Sequence, residues 1–321
     1  QMTYQAGAVE LSVGNVEAAF DRFLMGIEEY PAAYESYLGL IELIKAEEPV
    51  DDYRRGLVDF NASAYAPGIE AFLAYIDANP EEYKADAHLY LALSYEALGD
   101  PESAFAELDQ YAAREPSDGL FEQAKMHARA VDYETAVTLY QQFVEDYADS
   151  EDALFASWQL AALTADLGDA AAAIDYYVAL ADTYPEHEDA PEALYRAGQL
   201  AAANEDQETA YLLWMRAAEE YPSTLYGSAA LLDILLADSD IVESSLPGEL
   251  AASPANSSYQ ALRARDLAVG NEPFESQSPF AVSADETEEQ AAAESWIVEQ
   301  FDLDPALVSS DLSEGLLQDD R

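Results

Sequence analysis

The chain has 321 residues, half of them apolar, which is long enough for one elongated domain or two compact ones with a sizeable core. It carries 13 Lys and Arg against 65 Asp and Glu, a formal net charge of −52, and its only lysines are Lys45, Lys84 and Lys125. Such a surface repels phosphate, which argues against nucleic acid and anionic membranes as partners.

Cysteine is absent, so the chain has no disulfide, no iron–sulfur cluster and no thiolate zinc site. The longest apolar candidate, SAALLDILLA at 228–237, is shorter than the roughly 18 residues that a membrane helix needs. A helical pattern begins at once from Gln1, without a recognisable signal peptide. We therefore expect no transmembrane segment. The excess of acid over lysine suits a salty or exposed medium, where counter-ions screen like charges.

From the first residues onward, the chain returns to one pattern of small residues, turn signals and prolines. Glycine turn signals occur at 14–15, 99–100 and 168–169, and the register adds a turn at 132–133. Small residues, suited to close helix crossings, follow at Ala19, Gly68, Ala104, Ala136, Ala173 and Ala210. Twelve residues after each of these anchors come Pro31, Pro80, Pro116, Ala148, Pro185 and Pro222. Proline cannot continue a helix, so the pattern predicts helix pairs whose second helix ends there.

The anchors lie 49, 36, 32, 37 and 37 residues apart. An extra helix at 32–46 accounts for the first interval. The intervals of 37 exceed the period of about 34 of the tetratricopeptide repeat. This predicts a longer turn after each Tyr-Pro pair, such as Tyr184-Pro185 and Tyr221-Pro222. Because one unit cannot bury its apolar face alone, the units must stack. We predict an all-α superhelix of helix–turn–helix repeats over 1–238, with almost no strand.

The pattern loosens after residue 238. Residues 239–287 are rich in Pro, Gly and Ser and are predicted to be irregular apart from one helix at 258–270. Residues 288–321 form a further helical segment, with an amphipathic helix at 288–303. Nothing in 304–321 resembles the polar cap of a solenoid, so we expect the natural chain to continue beyond Arg321.

The segment DAHLYLALSYEALGDPESAFAELDQYAAREP (86–116) resembles the tetratricopeptide repeat, TPR. Residues 86–230 resemble TPR proteins of the bacterial cell envelope. SSYQALRARDLAVGNEPF (257–274), and more loosely 50–80, is similar to the N-terminal noncatalytic superhelix of soluble lytic transglycosylases. The resemblance implies a superhelix around a lysozyme-like module that cleaves peptidoglycan. That module's signature is a catalytic Glu followed by Ser, with a GLMQ-type stretch downstream. Here Glu294-Ser295 lacks the downstream motif, so no catalytic role is assigned to it.

No residue set in the sequence specifies a catalytic, cofactor or metal site. His88, His127 and His187 are isolated from one another, and no phosphate-binding loop or nucleophile elbow occurs. Residues 185–189, Pro-Glu-His-Glu-Asp, could hold a divalent cation through oxygens and one imidazole, but they lack the spacing of a helical zinc site, and an exposed inter-repeat turn explains them better. We predict no cofactor and no metal. Enzymatic activity stays open, because a natural chain that continues beyond Arg321 could carry a catalytic module there.

Two functions fit these features. The first is a noncatalytic scaffold outside the cytoplasm, in the periplasm or beyond, that contacts a protein or the cell wall as the superhelical part of a lytic transglycosylase. The second is a stand-alone extracellular binding protein that assembles with copies of itself. A cytosolic adaptor fits the charge less well. The expected partner is a protein, a peptide, another copy or peptidoglycan, held in a groove on the first helices near Tyr95, His127 and Trp158. Aromatic residues at such positions also serve simply as repeat core.

Overall fold

A computed structural model of the chain describes residues 2–237, 247, 250–251 and 258–270. These residues are mostly helical, and no strand occurs among them. The helices are α1 Met2–Ser12, α2 Val16–Glu29, α3 Tyr34–Lys45, α4 Asp52–Asn61, α5 Tyr65–Ala78, α6 Asp86–Ala97, α7 Pro101–Arg114, α8 Pro116–Arg129, α9 Tyr133–Asp146, α10 Ala153–Asp166, α11 Ala170–Thr183, α12 Ala190–Ala203, α13 Gln207–Glu220, α14 Leu225–Leu236 and α15 Tyr259–Ala268.

The helices stack in chain order as antiparallel pairs. The six pairs, here called units 1 to 6, are α1–α2, α4–α5, α6–α7, α8–α9, α10–α11 and α12–α13. Helix α3 stands between units 1 and 2, as the predicted extra helix at 32–46 requires. Helix α14 packs on α12 and α13, and α15 packs on α14. The prediction of an all-α solenoid of helix–turn–helix repeats is confirmed.

One turn joins the two helices of every unit. A single residue with φ between 60° and 86° precedes the N-cap of the second helix, and the amide of that cap bonds to the carbonyl five residues earlier. These two features form a Schellman-type helix end. In units 3 to 6 the cap is an aspartate whose carboxylate accepts a backbone N–H. The left-handed residues are Gly14, Ser63, Gly99, Val131, Gly168 and Glu205.

These turn residues repeat at intervals of 49, 36, 32, 37 and 37, the same as the anchors, which follow five residues later. The turn predicted at 132–133 starts one residue earlier, because Val131 is the left-handed residue and Asp132 is already the cap. All six anchors are buried, five of them completely. The predicted register is therefore correct.

At each helix crossing, a small residue on the first helix packs against a larger side chain on the second. Seven residues before the turn residue, three units have glycine, and a Cβ added to Gly56 or Gly198 would lie 2.7 Å or 2.4 Å from the ring of Phe72 or Trp214. Gly7 and Phe23 repeat this arrangement in unit 1. The other three units place alanine at this position, opposite a buried Leu or Tyr on the second helix. The spacing between the two helices thus depends on the combined volume of the two facing side chains.

The second helices also end alike. The residue before each predicted stop position has φ between −123° and −138° and is the C-cap of its helix: Tyr30, Asn79, Glu115, Tyr147, Tyr184 and Tyr221. The Tyr221 hydroxyl donates to the Pro185 carbonyl at 3.0 Å and so joins two successive junctions. Tyr30, at the end of unit 1, is exposed instead.

Unit 4 follows unit 3 without a loop. Glu115 is at once the C-cap of α7 and the N-cap of α8, whose first residue is Pro116. Residues 79–85, 147–152, 184–189 and 221–224 separate the helices at the other junctions between units 2 and 6 and before α14. The missing loop explains the short interval of 32.

Predictions for the rest of the chain fall mostly outside the described residues. Helix α15 covers most of the helix predicted at 258–270. The irregular segment at 239–287 is otherwise largely undescribed, and so are the helical segment at 288–321 and Glu294.

Candidate protein-binding face

The first helices of the units, α1, α4, α6, α8, α10 and α12, together with α14, present what we call the first-helix face. Ten residues before each turn residue, this face has a large apolar side chain, and five of the six are aromatic: Tyr4, Tyr53, Leu89, Phe121, Trp158 and Tyr195. All six are buried or partly buried. This position therefore holds an aromatic ring in nearly every unit, and the rings of Tyr53 and Phe121 are buried in the repeat core.

A cleft of about 500 Å³ opens on this face between α10 and α12. We call it the α10–α12 cleft. Helix α10 lines one side with two alanines and a carboxylate, α12 lines the other, and the buried ring of Tyr177 comes from α11 behind them. Burial raises the pKa of Tyr177. The lining residues are Ala162, Ala165, Asp166, Tyr177, Arg196, Gln199, Leu200 and Ala203.

A smaller cleft of about 240 Å³ occurs beside α1, again on the first-helix face. Its residues Ala8, Leu11 and Ser12 hold the same repeat positions as Ala162, Ala165 and Asp166. Phe23 takes the place of Tyr177, and α3 supplies Glu42. The repeat therefore builds equivalent openings in two places, and their chemistry differs with the side chains.

Trp158 borders the α10–α12 cleft and is held on two sides. Its ring meets the edge of Tyr177 with centroids 5.5 Å apart, and the Arg196 guanidinium lies 5.4 Å from the centre of its ring. Arg196 Nε also donates to Glu192 Oε1 at 2.7 Å. The arginine is thus fixed at the mouth of the cleft.

The aromatic surface continues onto α14. The Tyr195 hydroxyl donates to Asp233 Oδ2 at 2.8 Å, and the rings of Tyr195 and Tyr226 lie 5.8 Å apart. Burial and the hydrogen bond to Asp233 raise the pKa of Tyr195 to about 12. These contacts hold the rings of α12 and α14 in fixed positions next to the cleft.

Tyr95 and His127, the other two predicted groove residues, share a different repeat position, four residues before the turn residue. Tyr95 packs against the cores of units 2 and 3, and burial raises its pKa. His127 Nδ1 lies 2.9 Å from Asp132 Oδ2, and its ring centre is 4.4 Å from that of Phe105. Of the three predicted residues, Trp158 is the one beside the α10–α12 cleft, and a ligand role for any of them stays a prediction.

Sequence reasoning predicted Trp158 but missed Arg196, Gln199 and the other residues of the aromatic row. The predicted register was anchored on the second helices, whereas these residues lie on the first helices. Counting fifteen residues back from each anchor would have revealed the aromatic row, because that position holds a ring in five of six units.

Most of the few cations in the described residues are already paired with carboxylates. Arg129 binds Glu96 through two hydrogen bonds of 2.8 and 2.9 Å and so joins α8 to α6. The cation–carboxylate pairs are Lys45–Glu42, Arg54–Glu28, Arg55–Asp59, Lys125–Glu122, Arg129–Glu96, Arg196–Glu192, Arg216–Asp182 and Arg265–Asp266. The carboxylates far outnumber these partners, so the surface attracts cationic groups.

The sequence Pro-Glu-His-Glu-Asp forms the turn between α11 and α12. The Asp189 amide donates to His187 Nδ1 at 3.2 Å, which occupies that ring nitrogen. Among the described residues, no group of three or more His, Asp or Glu is arranged to hold a metal ion. Nor does any helix in the described ranges have the length and apolarity to cross a membrane.

Comparison with known proteins identifies the repeat. The family model of the tetratricopeptide repeat matches residues 86–118 and 118–150, which correspond to α6–α7 and α8–α9. The chain therefore contains TPR repeats within an α-solenoid. No curated protein is significantly similar to this chain.

Solved structures of TPR-type proteins match this chain with low sequence identity and low TM-scores. One crystal structure of MamA is 16% identical, with 51% of this chain and 93% of that chain covered and a TM-score of 0.40. A second MamA structure is 15% identical and covers 53% and 89%, with a TM-score of 0.42. YrrB, described as a TPR protein with an unusual peptide-binding site, is 17% identical and covers 64% and 95%, with a TM-score of 0.39.

Proposed function

We propose that this chain is a noncatalytic TPR scaffold that binds a protein or peptide partner on its first-helix face, with the α10–α12 cleft as the principal site. The observation that carries the proposal is the cleft itself. Its volume of about 500 Å³ lies within the range of about 300–1,000 Å³ that ligand sites occupy. It combines apolar walls with a few polar groups, Asp166, Arg196 and Gln199.

A peptide suits this face better than a small compact ligand. Rings recur along the face from Trp158 to Tyr195 and Tyr226, so a segment leaving the cleft meets further aromatic surface. Large, rigid rings are favoured anchors in protein interfaces. The excess of carboxylates favours a partner with a positive net charge.

The test is a matched pair of substitutions. Short random peptides would be selected by display on the purified chain, and their affinities measured for Gln199→Arg and Gln142→Arg. Gln199 lines the cleft, whereas Gln142 is exposed on second helix α9. We expect Gln199→Arg to weaken binding about tenfold or more, equivalent to about 1.4 kcal/mol, and Gln142→Arg to leave it unchanged. Equal effects of the two would refute the site.

We also propose that the protein acts in the periplasm or outside the cell. The support is compositional: abundant carboxylates, only three lysines and no cysteine. Fractionation of the native host should recover the protein with the periplasm or the medium. Recovery with cytosolic markers would contradict this location.

A finer proposal is that the chain is the superhelical part of a lytic transglycosylase. It rests on the resemblance of residues 257–274, which include most of α15. Mass spectrometry of the native protein would then find a longer chain with a lysozyme-like module. The 321-residue chain alone should release no anhydro-products from purified peptidoglycan, and their release would contradict the noncatalytic scaffold.

An exposed face of α1 favours the alternative, a protein that assembles with its own copies. Val9 is 63% exposed, although four of the five equivalent residues, Val58, Ser94, Met126 and Leu163, are buried and the fifth, Leu200, is partly buried. A second copy could cover this face. Val9→Glu should then lower the mass measured by light scattering, whereas Leu98→Glu, at an exposed position, should not. A wild-type monomer at every concentration would exclude the alternative.

A further inference from the structure

A second opening lies where units 3 and 4 meet without a loop, and we call it the junction cleft. It has a volume of about 500 Å³ and is lined by Lys84, Ala85, Asp86, Tyr111, Glu115 and Asp118. The loop at 79–85 and the start of α6 form one wall, and the direct connection from α7 to α8 forms the other. The other junctions between units 2 and 6 have a loop between the helices instead of this direct connection. It is separate from the α10–α12 cleft and does not depend on the function proposed for it.

The interior of the junction cleft offers hydrogen-bond acceptors that lack partners. Asp86 Oδ2 accepts from the Tyr53 hydroxyl at 2.6 Å, but Asp86 Oδ1 is buried and has no hydrogen-bond partner among the described residues. A buried carboxylate oxygen without a donor is costly. A donor supplied from outside would therefore be favoured.

Tyr111 provides the second, independent indication. Its side chain lines the cleft although the residue is only 6% exposed, and no residue in the described ranges forms a hydrogen bond with its hydroxyl. Burial and the nearby carboxylates of Asp118 and Glu115 raise its pKa to about 12, so it stays neutral and can accept a hydrogen bond.

Lys84, at the rim of the cleft, does not bind the carboxylate of Asp86. Lys84 Nζ lies 4.2 Å from the centre of the Tyr53 ring and forms no ion pair with a described carboxylate. Glu115 and Asp118 are exposed at the mouth of the cleft. The cleft is thus negative at its entrance and rich in acceptors inside.

We propose that the junction cleft binds the guanidinium group of an arginine side chain from a partner protein. The three carboxylates outnumber the single lysine and so attract a cation, and the planar guanidinium has five N–H donors that can reach several acceptors at once. A bare metal ion fits less well, because no group of three acidic or histidine ligands in the described residues is arranged around one point.

The experiment uses N-acetylarginine amide as the probe and N-acetylcitrulline amide as its neutral isostere. Binding at low ionic strength would be followed by amide NMR shifts. We expect the arginine probe to shift resonances at 84–86 and 111–118, and the citrulline probe to leave them unchanged. Shifts of equal size with both probes, or no shift with arginine, would overturn the proposal. So would Ca²⁺ binding at these residues more tightly than the arginine probe.

Matched variants distinguish binding of the arginine probe in the cleft from its general attraction to the negatively charged surface. Glu115→Gln combined with Asp118→Asn removes two charges that line the cleft. Glu81→Gln combined with Glu82→Gln removes two exposed charges from the part of the loop at 79–85 that does not line it. The first pair should weaken arginine binding about tenfold, and the second should leave it nearly unchanged. Equal losses would show that the probe only senses net charge. Tyr111→Phe deletes a single hydroxyl, and unchanged affinity in it would contradict a role for that oxygen.

Discussion

The turn inside unit 4 contains a residue poorly suited to its backbone, and replacing it should stabilise the protein. Val131 has φ 62°, a conformation that costs an L-residue about 1–2 kcal/mol and is especially unfavourable for a β-branched one. Glycine adopts it freely but loses about 0.5–1 kcal/mol more entropy on folding. Val131 is 69% exposed, so little burial is lost with its side chain. Val131→Gly should therefore raise the free energy of unfolding by about 0.5–1 kcal/mol.

Gly168 allows the reverse experiment at the equivalent position. It has φ 86°, and a Cβ added there would meet no atom within 4 Å. Gly168→Val therefore introduces backbone strain without a clash, and it should lower stability by a similar amount. Thermal unfolding followed by circular dichroism would compare both variants with wild type, with shifts of about 2–4 °C per kcal/mol for 150–250 residues. A loss of stability in Val131→Gly, or no loss in Gly168→Val, would refute the shared turn geometry.

Three further predictions concern buried charge, packing and surface charge. Asp59 is 2% exposed and burial raises its pKa to about 6, despite the attraction of Arg55; its charged form therefore opposes folding above about pH 6, and this opposition fades as the pH falls toward about 4. Asp59→Asn should raise the free energy of unfolding near pH 7 by about 3 kcal/mol, with the advantage over wild type shrinking on acidification; an advantage independent of pH would contradict this. Gly198→Ala should cost about 1–3 kcal/mol, because its Cβ would lie 2.4 Å from the Trp214 ring, whereas Gly26→Ala has only ordinary contacts and should be neutral or stabilising; equal melting temperatures would contradict the difference. The melting temperature of the wild type should rise with NaCl, and further with CaCl₂ at equal ionic strength, since screening relieves the repulsion of a chain with net charge −52; a flat curve would mean that the carboxylates are too dispersed to interact.

The sequence predicted the repeat register because glycine permits the left-handed backbone conformation and proline cannot continue a helix, and both effects are local. Gly99 and Gly168 indicate left-handed turn residues, and Pro185 indicates a helix end, independently of the rest of the sequence. Ser63 and Glu205 form the same turn without any such signal, since neither residue prefers that conformation. Only the shared spacing points to them.

The candidate sites were less predictable because they combine residues from several units. Trp158 was predicted from its position on a first helix, but its contact with Arg196 joins α10 to α12 across 38 residues of sequence. The short interval of 32 residues around Glu115 can be read from the sequence. The opening that results from it, however, depends on how the loop at 79–85 is placed. Such features require the stacked structure.

The central claim is that the partner lies in the α10–α12 cleft, and site-specific photo-cross-linking tests it most directly. A photoreactive amino acid would replace Gln199 in one protein and Gln142 in another, and each would be irradiated with the same display-selected peptide. We expect a covalent adduct at position 199 and none at position 142. Cross-linking at 142 alone, or at both positions equally, would contradict it.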